Sequence, residues 1–198
     1  TLRDNTTGYA NSAIGNDALR FNTTGYENAA WGVEALLNNN TGYRNMAIGQ
    51  IAMQANTIGH RNIAVGGGAL SENVSGNFNA CIGDATMILN TTGSFNTAVG
   101  PLALHTNTSG DYNTAIGHYA DVSSGNLTNA TAIGNGTIVN SSNKIRLGNT
   151  SVTVVEGNAS YTVSDGRFKT DLKQNVPGLD FITRLQPVTY HFDYPAFS

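Results

Sequence analysis

Asn90-Thr91-Thr92-Gly93-Ser94-Phe95-Asn96-Thr97-Ala98-Val99-Gly100-Pro101-Leu102-Ala103-Leu104-His105-Thr106 decides the fold, because the chain repeats it. Glycines recur every 17 residues at Gly8, Gly25, Gly42, Gly59, Gly76, Gly93 and Gly110, and again from Gly15 through Gly117. Two asparagine columns, Asn5 to Asn107 and Asn11 to Asn113, keep the same step without exception. Seven copies of one unit therefore occupy 1–123, the seventh ending at Ser123. A unit this short cannot bury an apolar face alone, so copies must stack and share a continuous core.

The unit divides into pieces with different physics. Asn-x-Ala-Ile-Gly reads as a short strand closed by a glycine where the chain turns. Ala13, Ala30, Ala47, Ala64, Cys81, Ala98 and Ala115 form a small-residue column beside Ile14, Trp31, Ile48, Val65, Ile82, Val99 and Ile116. Asn-Thr-Thr-Gly reads as a turn, whose side chains satisfy backbone groups. Asp17-Ala18-Leu19-Arg20 and its equivalents are expected to form an outer strand or, alternatively, one short helical turn. Identical asparagines about 4.8 Å apart on successive rungs would hydrogen-bond as ladders. The expected fold class is thus all-β, a parallel β-solenoid or β-roll of 17-residue repeats.

Composition agrees with a rod rather than an enzyme. Charged residues are 12% of 198, about half the usual share, while Asn and Thr together supply roughly a quarter. A net charge of −3 with scattered basic residues gives no footprint for phosphate backbones, which argues against nucleic acid. No stretch reaches the ~18 apolar residues of a membrane span, and Thr1-Leu2-Arg3-Asp4 has no signal-peptide layout. The chain reads as a segment of something longer. The single cysteine, Cys81, excludes an internal disulfide and sits in an alanine column, as a buried small residue would. His60, His105, His118 and His191 show no metal-ligand spacing, so no metal or cofactor is expected. Gly66-Gly67-Gly68 lacks the Lys and Ser/Thr of a phosphate loop.

Past Ser123 the unit degenerates, and 124–163 reads as irregular rungs and a capping or neck strand. Ala130-Thr131-Ala132-Ile133-Gly134 keeps the 17-residue step, but Gly148 follows Gly134 after 14. Thr150 to Val155 alternates polar with apolar residues, as a longer strand sealing the rod would. From Ser164 composition breaks: eight charged residues and Pro177, Pro187 and Pro195 crowd the last 35 positions. That marks a second domain over 164–198, too short for an independent core and so read as incomplete.

Candidate surface chemistry lies in three rows. Tyr9, Tyr26 and Tyr43 form an aromatic row that continues as His60, Asn77, Ser94 and Asp111, while the next column gains Phe78, Phe95 and Tyr112. These tyrosines are candidate surface-binding residues for a protein or sugar, or for a neighbouring chain. Thr7, Thr24, Thr41 and Thr92 line up, interrupted by Ile58, Ser75 and Ser109, and offer an alternative reading as an ice- or ligand-binding single-chain solenoid. Sequons at Asn5, Asn22, Asn73, Asn90 and Asn107 would permit glycan addition, although a turn that needs Asn and Thr creates them automatically.

Asn96-Thr97-Ala98-Val99-Gly100 and Asn113-Thr114-Ala115-Ile116-Gly117 resemble the head repeats of trimeric autotransporter adhesins and related phage fibres, over about three fifths of the chain. The resemblance implies a homotrimer of side-by-side β-rolls on an extracellular cell-surface or virion fibre, with a host-surface protein or glycan as partner and no membrane insertion in this segment. The period departs from that family, whose unit lies near the 14 residues between Gly134 and Gly148; the extra three are expected to enlarge the outer loop. Ser164-Asp165-Gly166-Arg167-Phe168-Lys169, Gly178-Leu179-Asp180-Phe181-Ile182 and Leu185-Gln186-Pro187-Val188-Thr189-Tyr190 resemble the opening of the intramolecular chaperone domain of phage tail spikes and fibres. That family domain aids trimerisation and then cuts itself off by serine-lysine autoproteolysis. By position Ser164 would be the nucleophile and Lys169 the base, a single-turnover activity at most, since a desolvated lysine can activate a nearby hydroxyl. The family domain continues well beyond Ser198.

Overall fold

A computed structural model describes residues 1–156. They form a parallel β-solenoid of tandem coils, with no helix among the described residues. Each regular coil contributes one three-residue strand to a single parallel sheet: β1 (Ser12–Ile14), β2 (Ala29–Trp31), β3 (Met46–Ile48), β4 (Ile63–Val65), β5 (Ala80–Ile82), β6 (Thr97–Val99) and β7 (Thr114–Ile116). After the short β8 (Asp121–Val122), β9 (Thr131–Ile133) joins that sheet, followed by β10 (Ile138–Val139) and β11 (Ile145–Leu147). Sheet order is β1-β2-β3-β4-β5-β6-β7-β9-β11, with β8 and β10 pairing separately. Register runs at one 17-residue step from Ser12↔Ala29 to Thr114↔Thr131, then narrows to 14 at Thr131↔Ile145.

The strands are three residues long because a glycine ends each one. Gly15 has φ +122°, and a Cβ there would lie 2.5 Å from the carbonyl oxygen of Gly32 in the next coil. Within the strand the small residue points in and its neighbours out: Ala30, Ala47, Ala64, Cys81, Ala98 and Ala115 are fully buried. The rest of the core comes from Ala18, Leu19, Ala35, Leu36, Ala52 and Met53 and their equivalents, all fully buried.

That second contribution corrects the expectation of an outer strand or helical turn over Asp17–Arg20. The segment is instead a staircase of tight turns. Ala18 N–H bonds to Gly15 O (3.5 Å) and Arg20 N–H to Asp17 O (3.3 Å), while Leu19 N–H reaches Ala35 O in the next coil (3.0 Å). Asp17 and Leu19 have φ of 54° and 49°, and Glu34 and Leu36 of 57° and 51°. Left-handed backbone costs a non-glycine residue roughly 1–2 kcal/mol. The return is burial: a strand would send adjacent side chains to opposite faces, whereas here Ala18 and Leu19 both enter the core.

Both asparagine ladders form. In one, Asn22, Asn39, Asn56, Asn73, Asn90 and Asn107 each donate Nδ2–H to the Oδ1 of the asparagine one coil earlier, at 2.7–2.9 Å. The same amides also donate to a glycine carbonyl three residues on, as Asn56 does to Gly59 (3.1 Å). In the other, backbone N–H groups of Asn28, Asn45 and Asn62 donate to the preceding asparagine Oδ1 at 3.0–3.1 Å. Their amides donate to Gly42, Gly59 and Gly76 carbonyls.

The leucine column Leu19, Leu36, Met53, Leu70, Met87, Leu104 ends at Asp121, where the turn staircase gives way to β8. Asp121 is 2% exposed; its carboxylate accepts from Thr106 Oγ1 (2.7 Å), Thr106 N (3.1 Å) and Val122 N (2.8 Å). Burial pushes its pKa up, against a partial lowering by those bonds. A carboxyl with a raised folded pKa favours its protonated form, so the stability it contributes is full below the unfolded value, about 3.9, and is lost as pH rises through the folded value. Thermal melts of the native chain should accordingly fall relative to Asp121→Asn over that window. Parallel pH profiles of the two would instead mean that Asp121 titrates as it does unfolded.

The narrowing to 14 residues removes the Asn-Thr-Thr-Gly corner. Val139 still pairs with Val122 at 17, whereas Thr128 N–H already bonds Ser142 Oγ at 14 (3.0 Å). The three extra residues of the regular coil therefore lie in that corner. Residues Thr150–Val155 do not form the expected sealing strand; Ser151 to Glu156 are exposed, after a turn in which Val152 N–H bonds Asn149 O (3.2 Å).

Candidate functional site

Two stripes run along the solenoid, one aromatic and one apolar. Among the described residues no three His, Cys, Asp or Glu side chains gather to hold a metal, and no helix is long and apolar enough to cross a membrane. Cys81 lies fully buried with its Sγ 3.2 Å from Met87 Sδ, and burial pushes its thiol pKa up, so it is packing rather than a nucleophile. Ser164 and Lys169, the proposed nucleophile and base, lie outside the described residues, as does the whole of 164–198.

The first stripe is aromatic. Tyr9 and Tyr26 stack with ring centroids 5.0 Å apart and planes 7° from parallel, Tyr26 and Tyr43 at 4.9 Å and 6°. Tyr43 stacks on His60 at 4.6 Å. The strip then crosses columns: His60 meets Phe78 edge-on at 5.7 Å, and Phe78, Phe95 and Tyr112 continue stacked at 5.0 Å. Seven rings thus form one ladder, roughly 29 Å long at ~4.8 Å per coil. Backbone bonds set its pitch, with Glu27 N–H on Tyr9 O, Arg44 N–H on Tyr26 O and Arg61 N–H on Tyr43 O, each 3.0 Å. The residues left in the first column become caps: Asn77 Oδ1 accepts from His60 N, Ser94 Oγ from Asn77 N, and Asp111 Oδ1 from Ser94 N, at 2.7–3.0 Å. Two guanidinium groups flank the ladder, Arg44 pairing with Glu27 at 2.6 Å and Arg61 lying 5.1 Å over Phe78. The sequence names both columns, but the crossing from His60 to Phe78 is a fact of side-chain reach. Stacked rings cover one another's faces, so the ladder offers mainly ring edges and phenol hydroxyls.

The second stripe is the outer face of the sheet. While the alanines point in, their neighbours point out: Ile14 is 62% exposed, Trp31 45%, Ile82 49% and Ile145 69%. Ile116, Ile133 and Leu147 continue the row. Trp31 is fixed by Nε1–H donating to Ser12 Oγ (3.2 Å). Scattered exposed apolar residues are ordinary, whereas a contiguous row along nine strands is the kind of patch that marks an interaction surface. The alternation of small and β-branched residues in the sequence was the available signal for which member faces out.

The threonine rows have less to offer. Thr6, Thr23, Thr57, Thr91 and Thr108 donate their hydroxyls to carbonyls of the next coil. Thr7, Thr24 and Thr41 are exposed but sit at bends rather than on a flat strand face. The sequon asparagines Asn22, Asn73, Asn90 and Asn107 are fully buried with their amides engaged in the ladder.

No protein-family model, curated protein or solved structure matches the chain.

Proposed function

We propose that this chain is a structural and adhesive segment of a homotrimeric extracellular fibre, three copies packing their sheet faces about a common axis. The observation that carries the reading is the apolar outer row from Ile14 to Leu147. Seven large side chains of that row, with Met46, Ile63 and Ile145 in the adjoining outward column, are 38–69% exposed and offer on the order of 800 Å², about what one partner contributes to a standard interface. A second copy of the same face is the apolar, uncharged, equally long surface that matches it. The aromatic ladder, whose flanking Glu27 and Arg44 border the sheet face at Met46 and Ile63, would meet a host-surface protein or glycan along its exposed edge, with many weak contacts multiplied by three chains. The resemblance of 164–198 to a self-cleaving trimerisation chaperone, with Ser164 as nucleophile and Lys169 as base, agrees with a product assembled as a trimer. The alternative single-chain reading draws less support, because Thr7, Thr24 and Thr41 sit at bends rather than on a flat strand face.

Light scattering coupled to size exclusion should give three chain masses for the native protein. Ile82→Lys, a charge at the centre of the row, should reduce this to one chain with an unchanged circular dichroism spectrum. A single-chain mass for the native protein would overturn the trimer. Intact mass spectrometry on the same peak tests processing: a fragment ending beside Ser164 that disappears in Ser164→Ala supports self-cleavage, and an uncut native chain argues against it here.

A further inference from the structure

We propose that the tyrosine end of the ladder is an oxidative cross-linking site, at which a one-electron oxidant joins the ring of Tyr9 to that of Tyr26 and staples two successive coils covalently. The inference stands on the single chain and does not depend on the trimer.

Tyrosine coupling needs two phenols held side by side and reachable by the oxidant. Tyr9 and Tyr26 meet the first condition, near-parallel with centroids 5.0 Å apart, and Tyr26 and Tyr43 repeat it at 4.9 Å. The hydrogen bonds from Glu27 N–H to Tyr9 O and from Arg44 N–H to Tyr26 O keep the pairs in register whatever the side chains do. Tyr9 is 59% exposed and Tyr26 and Tyr43 are half-buried, so an oxidant can reach the phenol edge of each. Coupling requires a ring to swing from a stacked to an edge-joined position, and these rings stand on the outside of the coil, where each can turn toward solvent. The other described tyrosines lack such a partner: Tyr112 stacks on Phe95, and Tyr119 lies against His105 and His118. The thiol that would otherwise intercept radicals, Cys81, is sealed in the core.

The chemistry balances with hydrogen peroxide and a haem peroxidase as the oxidising system. Each phenol loses one electron and its hydroxyl proton, giving two phenoxyl radicals with spin density on the ring carbons ortho to oxygen. Those carbons form one C–C bond, and the hydrogen on each then moves to its oxygen as the rings regain aromaticity. Two electrons and two protons leave in total, reducing one peroxide to two waters. The product ties residue 9 to residue 26 across one 17-residue coil.

The test treats the full chain with peroxidase and peroxide, reads dityrosine fluorescence, runs a denaturing gel and maps tryptic peptides. Cleavage after Arg3, Arg20 and Arg44 places Tyr9 in Asp4–Arg20 and Tyr26 with Tyr43 in Phe21–Arg44. The expected result is a covalent Asp4–Arg20 to Phe21–Arg44 pair in a band of single-chain mass. Tyr26→Phe, which keeps the ring and hence the stack, should abolish that pair, while Tyr112→Phe should leave it untouched. Tyr9→Phe should leave only the Tyr26–Tyr43 link inside one peptide. Cross-linked material found only in multi-chain bands, or a linked pair surviving Tyr26→Phe, would overturn the proposal.

Discussion

Asn56→Ala is expected to destabilise the solenoid by about 3 kcal/mol or more, because three buried groups each lose a partner at roughly 1–3 kcal/mol. Asn39 Oδ1 and the Gly59 carbonyl lose a donor, and Asn73 Nδ2 loses its acceptor. Asn56 is fully buried, so water cannot replace them without opening the coil. The damage is also placed to propagate. Repeat stability is a sum of intrinsic and nearest-neighbour terms, and the substitution weakens the interfaces on both sides of one coil. Urea denaturation followed by circular dichroism should show the midpoint falling and the transition splitting or broadening as cooperativity between the two halves is lost. Asn16→Ala, at an exposed position whose amide contact to Asp17 is 3.4 Å, should stay within about 0.5 kcal/mol of the native chain. Equal effects from the two substitutions would mean that the ladder does not hold the rod.

Gly83→Ala is expected to be worse, about 4 kcal/mol or more. Its Cβ would lie 2.6 Å from the carbonyl carbon and 2.7 Å from the carbonyl oxygen of Gly100, and the residue has φ +138°. The obstacle is backbone of the next coil, clamped by Gly100 N–H to Ile82 O at 2.8 Å, so neither partner can move without breaking a sheet bond. Gly67→Ala provides the contrast. Its new methyl would meet only the Asp84 carboxylate at 2.8 Å, the free end of an exposed side chain that can rotate away. Melting temperatures of the two variants should therefore differ widely, and similar melts would show that coil-to-coil spacing is softer than the structure has it.

Much of this was legible in the residues. The invariant glycine and asparagine columns give the period, the strand and the ladders, since a hydrogen-bonded stack of identical amides demands identity at those positions. The 14-residue step between Gly134 and Gly148 gives the narrowed coil. What was not legible is the conformation of Asp17–Arg20. Left-handed Leu19 and Leu36 run against local propensity, and only the tertiary gain of burying Ala18 and Leu19 together selects it. Val152 to Val155 misled in the opposite sense: an alternating pattern marks a strand only if a partner edge accepts it. The ladder was half legible, because Tyr9, Tyr26 and Tyr43 share a column while the step from His60 to Phe78 depends on how far a ring reaches from adjacent backbone.

The constant register from Ser12↔Ala29 to Thr114↔Thr131 makes length a counted quantity. Each whole unit added to the sequence advances the tip by one rung, ~4.8 Å, without altering perimeter, core or ladder chemistry, whereas a change of one or two residues puts every column below it out of line. Reach can therefore be changed in whole rungs by duplicating or deleting units, and the number of copies in the sequence reads directly as the length of the solenoid.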